Sequence, residues 1–328
     1  MAPKPFPILF ITATRIGDAV LSSGLLKRLH DEIPQARFTI VAGPEAAPLF
    51  ADVPGLDALI PFEKLKGGGH WFKLWRRFVA RHWGLILDMR GSAISRFLRR
   101  RRRAVFDRPK APVHKVIEAA RVLKLEDTPP APYLFTSERT EKQAARLTAG
   151  EGPILAVAPV AAWVGKTWPV ERFAQVALDL IGDNGPLAGG RVMLLGGVND
   201  RQGSKPLRGV VPGDRLIDLT GKADLLTVYA CLKHARLFIG NDSGVMHIAA
   251  AAGVPTLGLF GPSDETLYAP WGPHAKALRG GRTFAQLKAL DPDLNQQICH
   301  MMDLHVRTVS DAAKALLRQT QTSRRTDG

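Results

Sequence analysis

Two textures alternate along the chain. Short apolar runs rich in β-branched residues, "PILFITA", "FTIVAG", "GLILDMR" and "RAVFD", punctuate the first half. Between the first two, Leu21, Leu25 and Leu29 recur at helical spacing and predict a helix starting near Ala19. The second half repeats the scheme with "ILAVAP", "RVMLLGG", "LIDLTG", "RLFIGND" and "PTLGLFG". Helical stretches intervene there, among them "VERFAQVALDLIG", with Gly182 placed to close it. Near-continuous apolar strands separated by helices are the signature of parallel sheets covered on both faces.

The polar segment "TSERTEKQAARLTAGEGP" separates the halves, which puts a boundary near Gly150 and gives domains 1–150 and 151–328. An amphipathic stretch, 309–318, is free to fold back on either one. The expected architecture is α/β, two doubly wound parallel-sheet domains facing a cleft, with ligands at the carboxyl ends of the strands.

Chemistry concentrates where those strands end. In "LFIGNDSGVMHIAAAAGVPTLGLFG" a buried strand gives way to Asn241-Asp242-Ser243-Gly244, then a helix from about Val245. The first turn of such a helix presents unpaired N–H groups and a positive dipole end, so Asp242, Ser243, Gly244, Val245 and His247 form a candidate anion site. Helix capping accounts for one of Asp242 and Ser243, not for the set. In "APVAAWVGKTWPVERF", Pro169 and Glu171 are ordinary helix-start residues, whereas Lys166 is left over to neutralise a departing phosphate. In "LLGGVNDR", Gly196 and Gly197 allow a sharp turn that presents Asn199 or Asp200 to ribose hydroxyls. In "TATRIGDAVLSSG", Asp18 is either a helix cap or a carboxylate offered to a substrate, with Arg15 and Gly17 shaping its loop.

Charge changes the picture of the first half. The whole chain carries +15, and residues 1–150 hold 26 Lys and Arg against 14 Asp and Glu. That half is built to meet something anionic. If residues 92–103 are helical, Ile94, Phe97 and Leu98 face inward and Arg96, Arg99, Arg100 and Arg103 line a phosphate- or membrane-facing stripe. Cys231 and Cys299 have no metal-ligand spacing and fit a reducing compartment. No GxGxxG follows a strand, "KGGGH" at 66–70 lacks a Walker lysine, and "DPD" at 291–293 reads as a turn. No run is long enough to span a bilayer.

Taken in order, "RIGDAVLSSGLLKRL", "DMRGS", "VHKVIEAARVLKL", "GKTWPVERFAQVA", "LLGGVNDR" and "DLTGKADLLTVYACLKHARLFIGNDSGVMHIAAAAGVPTLGLFGPSD" resemble glycosyltransferase family 9, the ADP-heptose–lipopolysaccharide heptosyltransferases. The resemblance implies a GT-B fold and inverting transfer with no metal or other cofactor, the ADP-sugar being a co-substrate. It implies an acceptor on inner-core lipopolysaccharide bound by the first domain and a donor bound by the second. The implied base is Asp18, with Lys166 at the donor phosphates, the 242–247 turn and loosely Asp200 holding the nucleotide. Arg15, Gly17, Arg90, Arg96, Arg99, Arg100 and His114 are the candidate acceptor contacts. The implied setting is the cytoplasm, at the inner-membrane surface of a Gram-negative bacterium. A family member using another nucleotide-sugar donor or core-oligosaccharide acceptor, a basic non-catalytic protein binding nucleic acid or anionic membrane, and a dinucleotide-dependent oxidoreductase are the competing readings.

Overall fold

The computed structural model describes residues 4–63, 69–107 and 111–326, with side chains described as far as Thr320. Of the "KGGGH" segment, residues 66–68 lie outside the described residues. The chain divides into two compact units, 1–137 and 138–328.

The first unit is a five-stranded parallel sheet, β1 (Phe6–Ile11), β2 (Ala36–Ala42), β3 (Leu56–Pro61), β4 (Trp83–Asp88) and β5 (Arg100–Val105), in the order β3-β2-β1-β4-β5. Its helices are α1 (Ile16–Ser22), α2 (Gly24–Glu32), α3 (Gly69–Phe78) and α4 (Lys115–Ala120). The central strand is buried because Ile8 to Ile11 are apolar without interruption and both sheet faces are covered. The chain order reverses between β1 and β4, so the loops leaving these two strands flank a switch point.

The predicted Leu21, Leu25 and Leu29 stripe is buried, but on two helices rather than one, and the first begins at Ile16. Ser22 and Ser23 turn their hydroxyls back onto the Ala19 and Val20 carbonyls, which loosens the helix at that point. Ser23 Oγ also accepts from the Tyr133 N–H at 2.9 Å, and a Cβ at Gly24 would stand 2.4 Å from the Ala131 carbonyl oxygen. Segment 130–133 is therefore clamped into the break between α1 and α2.

The expected helix over 92–103 is not formed. A 3-10 turn, Ala93–Arg96, buries Ile94, and Leu98 is buried behind it, but Phe97 is 68% exposed. Residues 100–105 then pair with β4 as the sheet edge, Trp83 facing Arg100 and Asp88 facing Val105. Five consecutive like charges disfavour a helix, where i and i+4 neighbours repel, while a strand sends alternate side chains to opposite faces.

The second unit is a six-stranded parallel sheet. Its strands are β6 (Ile154–Ala158), β7 (Arg191–Leu194), β8 (Leu216–Asp218), β9 (Leu237–Asn241), β10 (Thr256–Phe260) and β11 (Ala275–Arg279), in the order β11-β10-β9-β6-β7-β8. Around it lie α5 (Glu138–Thr148), α6 (Val170–Ile181), α7 (Lys205–Val210), α8 (Leu225–Leu232), α9 (Gly244–Ala251), α10 (Glu265–Tyr268), α11 (Phe284–Leu290) and α12 (Val306–Thr326). Here the switch point lies between β6 and β9.

Helix α5, placed by sequence before a boundary near Gly150, packs with this second unit. Its Glu141 pairs with Lys233 at 2.6 Å, and the nearly buried Arg191 guanidinium donates to the carbonyls of Thr148, Ala149 and Gly150. Helix α12 also belongs here, burying Val309, Ala313, Leu316 and Leu317 in the core cluster that holds Trp168 and Phe173. Strands β3 and β11 had no counterpart in the sequence reading. The run "AKALR" sets Lys276 between two alanines and ends on Leu278 and Arg279, a composition as suited to a helix. The "DPD" segment does form a turn, with Asp291 closing α11 and accepting from the Asn295 N–H.

The clamp at Gly24 yields a direct expectation. Gly24→Val drives a branched side chain into two backbone carbonyls that cannot move aside, and thermal unfolding should show a loss of about 2 kcal/mol or more.

Candidate active site

In the second unit the loops that leave β6 and β9 are fastened together by one residue. Asn241, the fully buried last residue of β9, accepts from the Trp168 N–H at 3.0 Å and donates through Nδ2 to the Pro159 carbonyl at 2.8 Å. These contacts hold both ends of the 159–168 loop. Between them a 3-10 turn, Val164–Lys166, aims Lys166 at Asp242, with Nζ 2.6 Å from Oδ2. The lysine side chain keeps 26% exposure while the aspartate side chain keeps 8%, so the cation has an open side and the carboxylate has almost none. Gly165 makes that turn possible, because a Cβ there would penetrate the Trp163 ring.

Asp242 leads directly into α9. Ser243 occupies the N-cap position with extended backbone (φ −151°, ψ 168°), yet its hydroxyl caps nothing and lies buried with no hydrogen-bond partner. An orphaned buried hydroxyl costs stability unless something else satisfies it. Gly244 and Val245 open the helix, and His247 follows in its first turn, buried at 4% exposure. The loop after β10 joins the group, since a Cβ on Gly261 would lie 2.5 Å from the Met301 side chain and 3.5 Å from the Gly165 carbonyl. Ser263 on that loop carries a second buried hydroxyl without a partner. Arg279 fixes the loop by donating to the Gly261 and Ser263 carbonyls and pairing with Glu265. Burial pushes the Glu265 carboxyl up, and its bonds to Arg279 more than reverse this.

Asp200, expected near ribose, has a local task. Its Oδ2 accepts from the Gly197 N–H at 2.7 Å and its own N–H donates to the Gly197 carbonyl, closing the turn that Gly196 and Gly197 begin. Another carboxylate of this unit, Asp218, ends β8. Burial raises its pKa, but the Thr220 N–H, the Arg208 guanidinium and the Lys222 ammonium bring it down to about 2.

In the first unit, Asp18 sits in the first turn of α1, while the N-cap position belongs to Arg15, which is exposed. Gly17 lies within the same turn. The question left open by sequence is settled to this extent: Asp18 is not the N-cap. Across the switch point, β4 ends at the fully buried Asp88, which accepts from the Arg90 N–H at 3.0 Å and the Ser92 hydroxyl at 2.6 Å. That brace presents the Arg90 guanidinium over the rings of Phe62, at 5.1 Å, and Trp71, at 5.5 Å. Partial burial lowers the Arg90 pKa, against the raising effect of Asp88. Beside it, at the end of β3, a cavity of about 330 Å³ is lined by Phe62, His70, Lys73 and Arg77 among others.

The other expected acceptor contacts are dispersed. Arg96 and Arg99 are exposed, whereas the Arg100 guanidinium bends back onto the Arg96 and Leu98 carbonyls. His114 caps α4, accepting from the Val116 N–H through Nδ1. Among the described residues no three His, Cys, Asp or Glu side chains are grouped as a metal-ligand set, and both cysteines are free, burial pushing the Cys231 thiol up to about 12.

Two Rossmann-like parallel-sheet units, each with polar residues at its switch point, make up the GT-B fold. The profile of glycosyltransferase family 9 (heptosyltransferase) matches residues 71–295, and the chain belongs to that family, whose members include the lipopolysaccharide heptosyltransferases. Lipooligosaccharide heptosyltransferase 2 of Haemophilus ducreyi is 27% identical over 314 residues, covering 83% of this chain and 88% of that protein. The protein of the same name from Haemophilus influenzae is 32% identical over 154 residues, 46% of this chain and 42% of that one. Among solved structures, Escherichia coli ADP-heptose heptosyltransferase II superposes with a TM-score of 0.73 at 20% identity, over 96% of this chain and all of that one. A family 9 glycosyltransferase from Veillonella parvula gives 0.78 at 22% identity, over 97% and 99%.

Two measurements check this geometry. Asn241→Ala strands a buried N–H and a buried carbonyl and should cost about 2–4 kcal/mol in denaturant unfolding, whereas Ser243→Ala removes only a partnerless hydroxyl and should stay within about 0.5 kcal/mol of wild type. Asp218 has a folded pKa of about 2 against an ordinary 3.8, so its contribution is complete above the ordinary value and lost as pH falls through the folded one. Asp218→Asn should therefore lower Tm at neutral pH, with the gap to wild type closing between about pH 4 and pH 2.

Proposed function

We propose that the protein transfers a heptose from ADP-heptose to an anionic inner-core lipopolysaccharide acceptor, with inversion at the anomeric carbon, on the cytoplasmic side of a bacterial inner membrane. One observation carries the donor half: Lys166 and the unsatisfied Ser243 hydroxyl meet at the N-terminus of α9. A diphosphate is the ligand that uses all three features, the ammonium, the hydroxyl and the unpaired helix N–H groups. Asp242 keeps the ammonium in place before the donor arrives, and the lysine's open side is where a phosphate oxygen joins it.

Departure of ADP concentrates negative charge on the oxygen that leaves the sugar. Lys166 and the N–H groups of the Ser243-Gly244 turn stabilise that charge without having to reorganise. Their effect grows as the bond breaks, which is the condition for acceleration rather than mere binding. The acceptor hydroxyl must lose a proton as it attacks, and Asp18 is the carboxylate assigned to take it. Attack from the face opposite the leaving diphosphate, with no covalent intermediate, gives inversion. Arg90, stacked on Phe62 and Trp71, supplies a fixed cation for an acceptor phosphate or carboxylate, and the neighbouring cavity, where Lys73 and Arg77 outnumber the one carboxylate of Glu63, suits an anionic sugar.

Asp18→Asn should bind ADP-heptose as wild type does while losing about 10²-fold or more in turnover. Lys166→Ala should weaken both ADP binding and turnover. Calorimetry with ADP-heptose, ADP-glucose and NAD, with NMR of the product's anomeric configuration, checks the scheme. Turnover of Asp18→Asn close to wild type would remove the base assignment, and tighter binding of ADP-glucose than of ADP-heptose would remove the donor assignment.

A further inference from the structure

The turn that carries Lys166 is held from outside on both sides of the lysine. The Gly165 carbonyl, which shares a peptide plane with the Lys166 N–H, accepts from the His300 N–H at 3.2 Å. The Thr167 carbonyl accepts from the Cys299 thiol, also at 3.2 Å. Two consecutive residues of a distant segment thus fix the backbone just before and just after the lysine. Asn241 acts farther out, at Pro159 and Trp168, so the middle of the turn depends on this second contact.

The segment that supplies them runs from α11 to α12 through turns alone, so side chains must hold it in shape. On the α12 side Arg282 does this, pairing with Asp303 at 3.1 Å and donating to the His300 carbonyl at 3.3 Å. On the α11 side the tie is an imidazole. His300 is 5% exposed, and its Nε2 stands 3.0 Å from the Asn295 carbonyl and 3.8 Å from Asp291 Oδ2. A carbonyl and a carboxylate only accept, so Nε2 carries the hydrogen. Asp291 also accepts from the Asn295 N–H, which makes the 291–295 turn the footing of the imidazole. The Trp163 ring meets the imidazole edge-on, with centroids 6.4 Å apart. One residue therefore joins the α11 end of the segment to the peptide that orients Lys166.

We infer that His300 is a positioning residue for the transfer: its imidazole locks the 295–300 segment, its N–H locks the Gly165 carbonyl, and Lys166 is thereby aimed at the N-terminus of α9. The residue acts through Lys166, and the inference rests on the reading of Lys166 as the donor-phosphate cation. A turn fastened only at its ends keeps freedom in the middle, and the long lysine side chain multiplies any tilt of its peptide. A cation that has to be re-aimed at each encounter loses the affinity that preorganisation supplies. A latch with a structural task alone would steady the 291–304 segment without any bearing on ADP.

Calorimetric titration of the full-length protein with ADP tests it. His300→Ala should weaken ADP binding about tenfold. His300→Gln, whose amide nitrogen reaches the place of Nε2, should restore most of that loss, whereas His300→Asn falls short of the Asn295 carbonyl and should not. In a Lys166→Ala background, His300→Ala should change ADP affinity by less than about twofold, because the group through which it acts is gone. Should His300→Ala not fold, His300→Asn carries the same comparison. The inference is overturned if these variants bind ADP as wild type does, or if His300→Gln binds no better than His300→Asn. It is equally overturned if the loss persists in full without Lys166, the mark of a general loosening of the unit. The donor reading is checked apart from this: Lys166→Ala alone binding ADP as wild type does would remove that reading, and this inference with it.

Discussion

The side-chain amide of Asn241 is the point from which the second unit's chemistry is organised. A parallel sheet ends every strand at the same edge, and at the switch point two loops leave in opposite directions. That divergence opens space for a ligand but leaves the loops untied to each other. Asn241 ties them, satisfying a backbone N–H on one side and a carbonyl on the other from a fully buried position. With the loop held at Pro159 and Trp168, the turn between them has few conformations left, and Lys166 is delivered to Asp242 rather than to solvent. Trp168 extends the constraint into the core, where its indole N–H donates to the Leu304 carbonyl just before α12.

Lys166 and Asp242 also show how a cation is held at a helix N-terminus. A lysine aimed at helix N–H groups would meet like charge, and the intervening carboxylate removes that conflict. Asp242 is almost completely enclosed and the lysine is not, so the ammonium keeps an open side. The first unit follows a related rule with different parts. Asp88 spends its oxygens on the Arg90 N–H and the Ser92 hydroxyl, bracing the loop, and the Arg90 guanidinium is positioned by aromatic faces. In both units a buried carboxylate fixes the geometry and a less buried cation faces outward.

The strands next to each switch point were readable because fully buried parallel strands have no alternation to confuse with anything else, as in "ILFI" and "LFIG". The turn at 241–244 was readable too, since polar residues and glycine between an apolar strand and an apolar helix leave little choice. Asn241 was visible as part of that turn, but its task was not, because its partners lie more than seventy residues away. Phe97 was misplaced by periodicity. Counting by 3.6 put it with Ile94 and Leu98 in the core, whereas the helix stops at Arg96 and the backbone turns it outward. The arginines behind it were drawn into a strand by pairing with β4, a contact that no local window contains.

Local sequence thus determined which segments are apolar enough to be central strands, where a polar, glycine-containing turn leads from strand to helix, and that the first half carries the positive charge. These follow from side-chain hydrophobicity, glycine and proline geometry, and charge count, all of which act within a few residues. Tertiary structure decided which strand stands beside which, and so which loops share a switch point. It decided whether a carboxylate caps its own turn, as Asp200 does, or holds a distant lysine, as Asp242 does. It also decided that α5 belongs to the second unit, through the carbonyls that Arg191 gathers. Such choices depend on the spacing of groups far apart in the chain, which sheet register fixes only once the strands have paired.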